Sequence, residues 1–422
     1  MLFARMMSSA ALTALMAFGA VGGAQAQDYN RGRNVSVLQR ERPDYQAIGI
    51  RTGGFTVFPR VEAGAEYTSN VYKTDTNVKG DVYAVVNPSL QALSNWGRHQ
   101  LQAEAGLRVR QFASETSQDE LGWYARTTGR LDVYGDSYLT GGADVEHRYI
   151  RREEEDFPEL AVGPLPYTTY GLNLRGVYQA SRLRASAAGY VRADRYSDTD
   201  AIGGGKLSLD GRDVTTYGGE LRGEYAISPD TSVFVQGTSV HNSYRVSGGV
   251  FGPDRDNTEN KILAGATFDV TALMRGEIGV GYLRRSYSNA AYQAISGLAV
   301  NGTLEYFPTE LTTVTLRVRR EVEDSILNGV GGYTATGGSI RVDHELLRNL
   351  LLKGSVEYTK YGYQNFDRTD NIWGISGGGT YFVNHLIGLS ATATWLRRDS
   401  SGTAGRNNFN DGRLMFAIVV QR

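Results

Sequence analysis

Between Gly97 and Phe112 the chain reads GRHQLQAEAGLRVRQF, with Leu101, Ala103, Ala105, Leu107 and Val109 on one parity and Gln102, Glu104, Arg108 and Arg110 on the other. Successive side chains of a strand point to opposite faces, so a period of two means two faces in two different surroundings. The apolar face is small and thin, where the core of a soluble sandwich asks for bulk. The pattern leaves a half-buried surface strand, or a membrane barrel strand with lipid outside and water inside.

The alternation recurs at a rhythm of about twenty residues per strand and connection. Eighteen such segments follow one another: 55–69, 81–94, 97–112, 121–134, 138–150, 168–179, 182–196, 213–227, 231–244, 259–271, 274–287, 296–307, 311–323, 333–345, 350–363, 371–382, 386–398 and 412–421. Their connections alternate in length. Short links such as NWGR (95–98), GDS (135–137), SPD (228–230), PTE (308–310) and RN (348–349) take every second place, and long polar stretches such as RREEEDFPELAVGPLP and SDTDAIGGGKLSLDGR lie between them. Outer-membrane barrels combine short periplasmic turns, longer external loops and an even strand count. The expectation is an all-β, transmembrane antiparallel up-and-down β-barrel of eighteen strands over residues 54–422, in the cell outer membrane, with sixteen strands as the nearest alternative. A propeller is disfavoured because no blade motif repeats at a fixed period.

The first 26 residues carry Arg5, an apolar stretch from Ala10 to Val21 and the exit Ala24-Gln25-Ala26. A basic start, a short apolar core and an A-x-A exit mark a cleaved secretory signal, and the stretch is shorter than the ~20 residues a spanning helix needs. Residues 27–53 are charged and do not alternate. They read as a periplasmic extension, either mobile or folded into the lumen as a small plug.

Composition narrows the chemistry. The chain has no cysteine, which removes disulfides, thiolate metal sites and cysteine nucleophiles together. Its 44 basic and 45 acidic residues nearly balance, which argues against nucleic acid as a partner. Twenty-six tyrosines and 52 glycines against nine prolines favour strands and turns.

If the strands span, alternation forces their charges inward, because Arg or Lys facing lipid at the midplane costs roughly 2–4 kcal/mol. The pore-lining candidates are Arg60, Glu62, Glu66, Glu104, Arg108, Arg110, Tyr124, Arg126, Arg130, Arg184, Tyr190, Arg192, Arg222, Arg275, Arg317, Arg319 and Arg341, with Glu220, Glu277, Asp343, Lys353 and Glu357 on the same faces. Arg and Glu mixed on single strands also suit a structural ion-pair network. Tyr124 and Tyr190 could stack on sugar rings or simply pack the wall. Trp123, Trp373 and Trp395 fall on the lipid face as interface girdles.

No catalytic, cofactor or metal site is expected. His99, His147, His241, His344 and His385 are scattered without metal spacing. HNS at 241–243 is similar to the His-x-Ser dyad of small barrel lipid A deacylases, a three-residue match that arises readily by chance. The Gly203–Gly205 and Gly377–Gly379 runs lack the strand-to-helix context of a phosphate loop. RREEED at 151–156 reads as a solvated loop that could attract divalent cations of lipopolysaccharide.

The stretch RPDYQAIGIRTGGFTVFPRVEAGAEYTSNVY (42–72), followed by NPSLQALSNWGRH (87–99), resembles the start of the second family of putative beta-barrel porins. The resemblance implies a barrel of exopolysaccharide, capsule or holdfast systems, with a polysaccharide as cargo and a periplasmic polysaccharide export protein as partner, set among outer-membrane lipid and lipopolysaccharide. The chain departs from the usual barrel terminus, which is aromatic, by ending FAIVVQR. The first functional expectation is therefore a non-enzymatic conduit exporting a polysaccharide. The alternative is a general or substrate-specific uptake porin, which predicts a long loop folded into the lumen, the candidates being 197–212 and 245–259. A barrel lipid enzyme would need His241 and Ser243 to sit together at the outer leaflet.

Overall fold

A computed structural model describes residues 35–155, 157–248, 252–270, 273–325 and 330–422; the expected signal segment lies outside them. Eighteen antiparallel strands form the wall: β1 Phe55–Thr68, β2 Asp81–Ser94, β3 Gln100–Phe112, β4 Glu120–Tyr134, β5 Ser137–Ile150, β6 Leu165–Ala180, β7 Leu183–Tyr196, β8 Val214–Ser228, β9 Thr231–Tyr244, β10 Asn257–Val270, β11 Met274–Tyr287, β12 Ile295–Thr309, β13 Thr312–Asp324, β14 Gly332–Leu347, β15 Leu350–Tyr363, β16 Thr369–Phe382, β17 Ile387–Ser401 and β18 Phe409–Gln421. Each pairs with its sequence neighbours. The last pairs with the first, from Arg60↔Gln421 to Thr68↔Arg413, and closes the sheet.

Closure is what a lipid environment demands, since an open edge would leave backbone N–H and C=O groups without partners. The two faces separate as alternation requires. Leu107, Leu121, Leu172, Leu221, Ile262 and Phe416 stand exposed on the outside, while Glu62, Glu66, Arg222, Asp343 and Asp411 are buried on the inside. The short turns gather at one end and the long loops at the other, which makes the first end periplasmic and the second external.

Residues 35–49, within the charged stretch before the barrel, fold against the short-turn mouth. Val37 is fully buried and donates its backbone N–H to Thr313 Oγ1 at 2.9 Å. The Arg42 guanidinium donates to Glu345 Oε2 at 2.8 Å and to the Val37 carbonyl at 2.7 Å. A three-residue strand, Ile50–Thr52, then turns into β1.

One join is incomplete. Pairing of β12 with β13 runs outward only to Val300↔Arg320, whereas β12 continues on β11 to Ile295↔Arg285, and β13 continues on β14 to Asp324↔Gly332. Beyond the parting, Asp324 meets Arg285, and both Asn242 and Asn257 donate to it. Apolar Val322, Ile295, Ala299, Leu283, Leu263 and Phe234 pack together beside it, so the parted corner is filled by side chains.

Candidate functional site: the lumen and its infolded loop

The inward strand faces carry charge in opposed pairs. Arg126 reaches Glu104 Oε2 at 2.7 Å, Tyr124 donates to Glu104 Oε1 at 2.8 Å, and Arg108 pairs with Glu146. Arg60 is 2.8 Å from Glu62, and Glu66 is buried beside them on β1. Arg130 pairs with Asp132 and lies 3.8 Å from the Tyr138 ring centre. Arg192 pairs with Asp194 at 2.9 Å, Arg222 with Glu277 at 2.9 Å, Arg275 with Glu305, Arg319 with Glu321 at 3.3 Å, and Arg341 with Asp343 at 2.9 Å. Arg110 lies over the Tyr83 ring, and Arg184 donates to the Tyr138 hydroxyl at 3.2 Å. Arg317 stands on the same parity as Arg319, paired across the wall with Ser339.

Two tyrosines carried a possible role in stacking on sugars. The guanidinia of Arg108 and Arg126 lie over the Tyr124 ring, at 4.8 and 5.2 Å from its centre, so the ring is already engaged by cations. Tyr190 lies flat over Gly218 on the neighbouring strand, where a Cβ would come within 2.1 Å of its ring. Both are wall residues in this arrangement.

The long loops correct the sequence reading. The segment that enters the bore is the β5–β6 loop beginning RREEE, expected to be solvated; neither 197–212 nor the described residues of 245–259 take that place. Arg151 forks onto both oxygens of Glu120, each at 2.7 Å, and fixes the loop's root to β4. Arg152 donates to the carbonyls of Ala161 and Val162, both at 2.8 Å, and closes the loop on itself. Ile150, Phe157, Ala161 and Leu165 form a small apolar core with Leu209 from the 197–212 loop, which therefore backs the constriction. The 245–256 loop sends Arg255 to the carbonyls of Ser325 and Gly211 and ties neighbouring loops together.

From that root, residues 153–155 cross the bore to the far wall. Counted from β15 through β18 and β1 to β5, the contact spans eight steps of an eighteen-strand wall, almost a diameter. Glu155 accepts from Arg368 at 2.7 Å and from the Tyr363 hydroxyl at 3.2 Å. Arg398 donates to the Glu153 carbonyl at 2.6 Å, and Arg406 to the carbonyls of Glu154 and Glu155 at 3.0 and 2.9 Å. Arg413 reaches Glu153 Oε1 at 3.1 Å and also binds Asp411, which Lys73 meets at 2.8 Å and to which the Thr68 hydroxyl donates at 2.7 Å. Buried charges persist only when paired and hydrogen-bonded. The carboxylates of Glu153 and Glu155 meet cations from another part of the chain, whereas that of Glu154 accepts from the Arg151 backbone N–H within the loop at 3.1 Å.

The loop's electrostatics are uneven. Burial would raise Glu153, but Arg413, Lys73 and Arg151 hold it far below the usual carboxylate range. Burial pushes Glu154 up to about 7, and Glu155, which also faces Asp370, up to about 8. Lys73 is lowered to about 8 by burial, with Arg413 adding to the effect. Beside the loop lies a cavity of about 260 Å³, bordered by Glu153–Glu155, Tyr167, Arg192, Arg319, Glu357 and Tyr361.

Of the residues that build this constriction, Glu153 and Glu155 were read from the sequence only as part of a solvated loop, and Lys73, Arg368, Arg398, Arg406 and Arg413 were not singled out. Inward parity on β17 and β18 was the available signal for Arg398 and Arg413. Nothing local announces the others. His241 and Ser243 stand on outward positions of β9 with separate partners, Thr258 Oγ1 at 3.0 Å and Asp256 Oδ2 at 3.3 Å. Among the described residues no cluster of acidic or histidine side chains is arranged to hold a metal ion.

Solved structures similar to this chain include a BenF-like porin from Pseudomonas fluorescens Pf-5 (11% identity, 87% of this chain and 99% of that one, TM-score 0.47). OccK2 (OpdF) of Pseudomonas aeruginosa, in complex with glucuronate, matches at 10% identity over 87% and 98% with TM-score 0.47. A bacterial polysaccharide outer membrane secretin matches at 10% over 86% and 98% with TM-score 0.38. Likenesses this distant carry no information on cargo. Among curated proteins none matches significantly. The family model described as putative beta-barrel porin 2 matches residues 42–422, nearly the whole closed barrel and the segment docked at its inner mouth, and the chain belongs to that family of outer-membrane β-barrel porins.

Proposed function

We propose that this porin is a selective diffusion channel for small polar solutes, and that the β5–β6 loop is its selectivity element. The infolded loop carries this reading. A barrel of this strand number leaves an aqueous channel unless something narrows it, and the loop lies across that channel, pinned at both sides of the wall. The neighbouring cavity borders on both signs of charge and on tyrosine, a lining suited to a solute of sugar or amino-acid size bearing both donors and acceptors. Polysaccharide export, the first expectation, needs a continuous passage for polymer. Breaking a buried, hydrogen-bonded ion pair costs roughly 3–5 kcal/mol, and several pairs would have to part together to clear the loop.

The test is reconstitution in planar bilayers and in solute-loaded liposomes. The expected result is steady ion conductance, permeation that falls steeply from monosaccharide to tetrasaccharide, and a several-fold rise in conductance for the Arg398→Ala/Arg413→Ala variant. Absence of small-solute flux in both proteins, with polymer crossing the wild type, would return the protein to the export class.

A further inference from the structure

The lipid-facing surface carries a second feature. Outward strand positions hold Lys or Arg at only five places among the described residues: Arg195, Arg284, Arg320, Lys360 and Arg397. Arg195 folds back onto the Val214 carbonyl and Thr215 Oγ1. The other four occupy alternate strands β11, β13, β15 and β17, one continuous quarter-turn and more of the wall, while β1–β6 and β18 show none. All four lie toward the external end of their strands.

Register staggers the band they form. Arg320 and Lys360 lie on one line, with Arg397 opposite Trp373, two residues nearer the midplane. Arg284 lies opposite Ser296, four residues further out along β12 than the Val300 that Arg320 opposes. Arg320 pairs with Thr336, Thr336 with Lys360, and Lys360 with Asn371. Arg284 lies between Asn260 and Ser296 on the neighbouring strands. Directly inward of the band, Tyr358 and Trp373 pack at 4.5 Å between ring centres, and the Tyr358 hydroxyl donates up to Asn371 at 2.8 Å. Aromatic residues of this kind mark the level of the lipid headgroups. The cations thus stand at headgroup height, where a lipid-facing charge is tolerated, with polar Thr, Asn and Ser between them. Arg320 reaches Thr336 Oγ1 at 2.9 Å, and Arg397 is balanced by Asp399 at 2.8 Å. Arg284 and Lys360 are exposed and make no hydrogen bond or ion pair with other described residues.

We infer that this band is a binding site for a phosphorylated glycolipid of the outer leaflet, with Arg284, Arg320 and Lys360 receiving its phosphate groups. The interposed Ser296, Thr336 and Asn371 face its sugar hydroxyls, and Tyr358, Trp373 and Val318 face the top of its acyl chains. Charge complementarity selects an anionic headgroup. The separation argues for more than one phosphate: neighbouring strands lie about 4.8 Å apart, so Arg320 and Lys360, two strands from each other, are about 10 Å apart along the wall. The site also bridges the parted β12–β13 corner, since Arg284 and Arg320 lie on either side of it, and an occupant would seal that corner from outside.

The experiment uses the full-length protein in detergent micelles, incubated with diphosphoryl lipid A, its monophosphoryl form, or a phosphate-free acylated disaccharide, and read by native mass spectrometry. Diphosphoryl lipid A is expected to stay bound to the wild type, the monophosphoryl form less, and the phosphate-free glycolipid hardly at all. The Arg284→Gln/Arg320→Gln/Lys360→Gln variant is expected to lose binding at least tenfold, and Arg195→Gln to keep it. Equal retention by the triple variant, or equal binding of the phosphate-free glycolipid to the wild type, would overturn the site. The second arm needs no variant, so a folding defect leaves the test intact.

Discussion

At Glu154 and Glu155 the same burial that makes a loop into a constriction also makes it sensitive to protons. A carboxyl raised above its unfolded value binds a proton more readily in the docked loop. Its contribution to docking is therefore full below about pH 4.5 and declines as pH rises through 7 to 8. Glu153 has the opposite sign: held low by its cations, it supports docking above its unfolded value and loses that support in acid. Lys73, lowered to about 8, penalises docking while charged, and that penalty fades as it deprotonates above 8. The docked loop is thus expected to be firmest near pH 4.5, where both kinds of carboxylate support it, and loosest near pH 8. Single-channel recordings check this: current noise should grow between pH 6 and pH 8 in the wild type. A Glu154→Gln/Glu155→Gln variant should lose most of that growth.

Two features of the strands can be tested by substitution. On the lipid face, Leu107→Arg places a charge on the apolar side of β3 and is expected to destabilise the barrel by roughly 2–4 kcal/mol if near the midplane. Leu107→Ala should cost far less, and urea titration in lipid vesicles compares them. On the lumen side, β10 and β11 approach closely: a Cβ at Gly281 would lie 1.8 Å from the Ile262 carbonyl oxygen, a backbone atom that cannot swing aside. Gly281→Ala is therefore expected to impair closure and to lower the temperature at which the barrel loses its compact form on gel electrophoresis. Gly223→Ala, with open space at its Cβ, should leave that temperature unchanged. Alternation made the eighteen strands readable, because each must serve two solvents along its whole length. At the parting of β12 from β13 the alternation is broken on both sides, by apolar Ile295 and Ala299 on the lumen parity of β12 and by charged Arg320 and Asp324 on the outward parity of β13. Nothing local says that such breaks mean a parted join.

For the whole molecule, the proposed channel and the export conduit differ in what a cell loses without them. A clean deletion strain is expected to keep its surface and secreted polysaccharide and to take up small polar solutes more slowly, with the wild-type gene restoring uptake. Loss of polymer with unchanged uptake would favour the conduit. Polymer and uptake measured in one strain therefore separate the readings without assuming either.

What the chain determined by itself was the wall: strand number, the order of long and short connections, and which side chains face water. These follow from nearest-neighbour constraints, period-two alternation and the energetic exclusion of charge from lipid, and such constraints are written locally at Leu107 and Arg108 alike. What only the tertiary structure decided was the bore. RREEE has the composition of a solvated loop, and it becomes a buried crossbar because Arg368, Arg398, Arg406 and Arg413, more than two hundred residues further on, come within hydrogen-bonding distance when the wall closes. A charged segment's fate depends on its partners, and closing an eighteen-strand ring is what brings those partners to the opposite side of one channel.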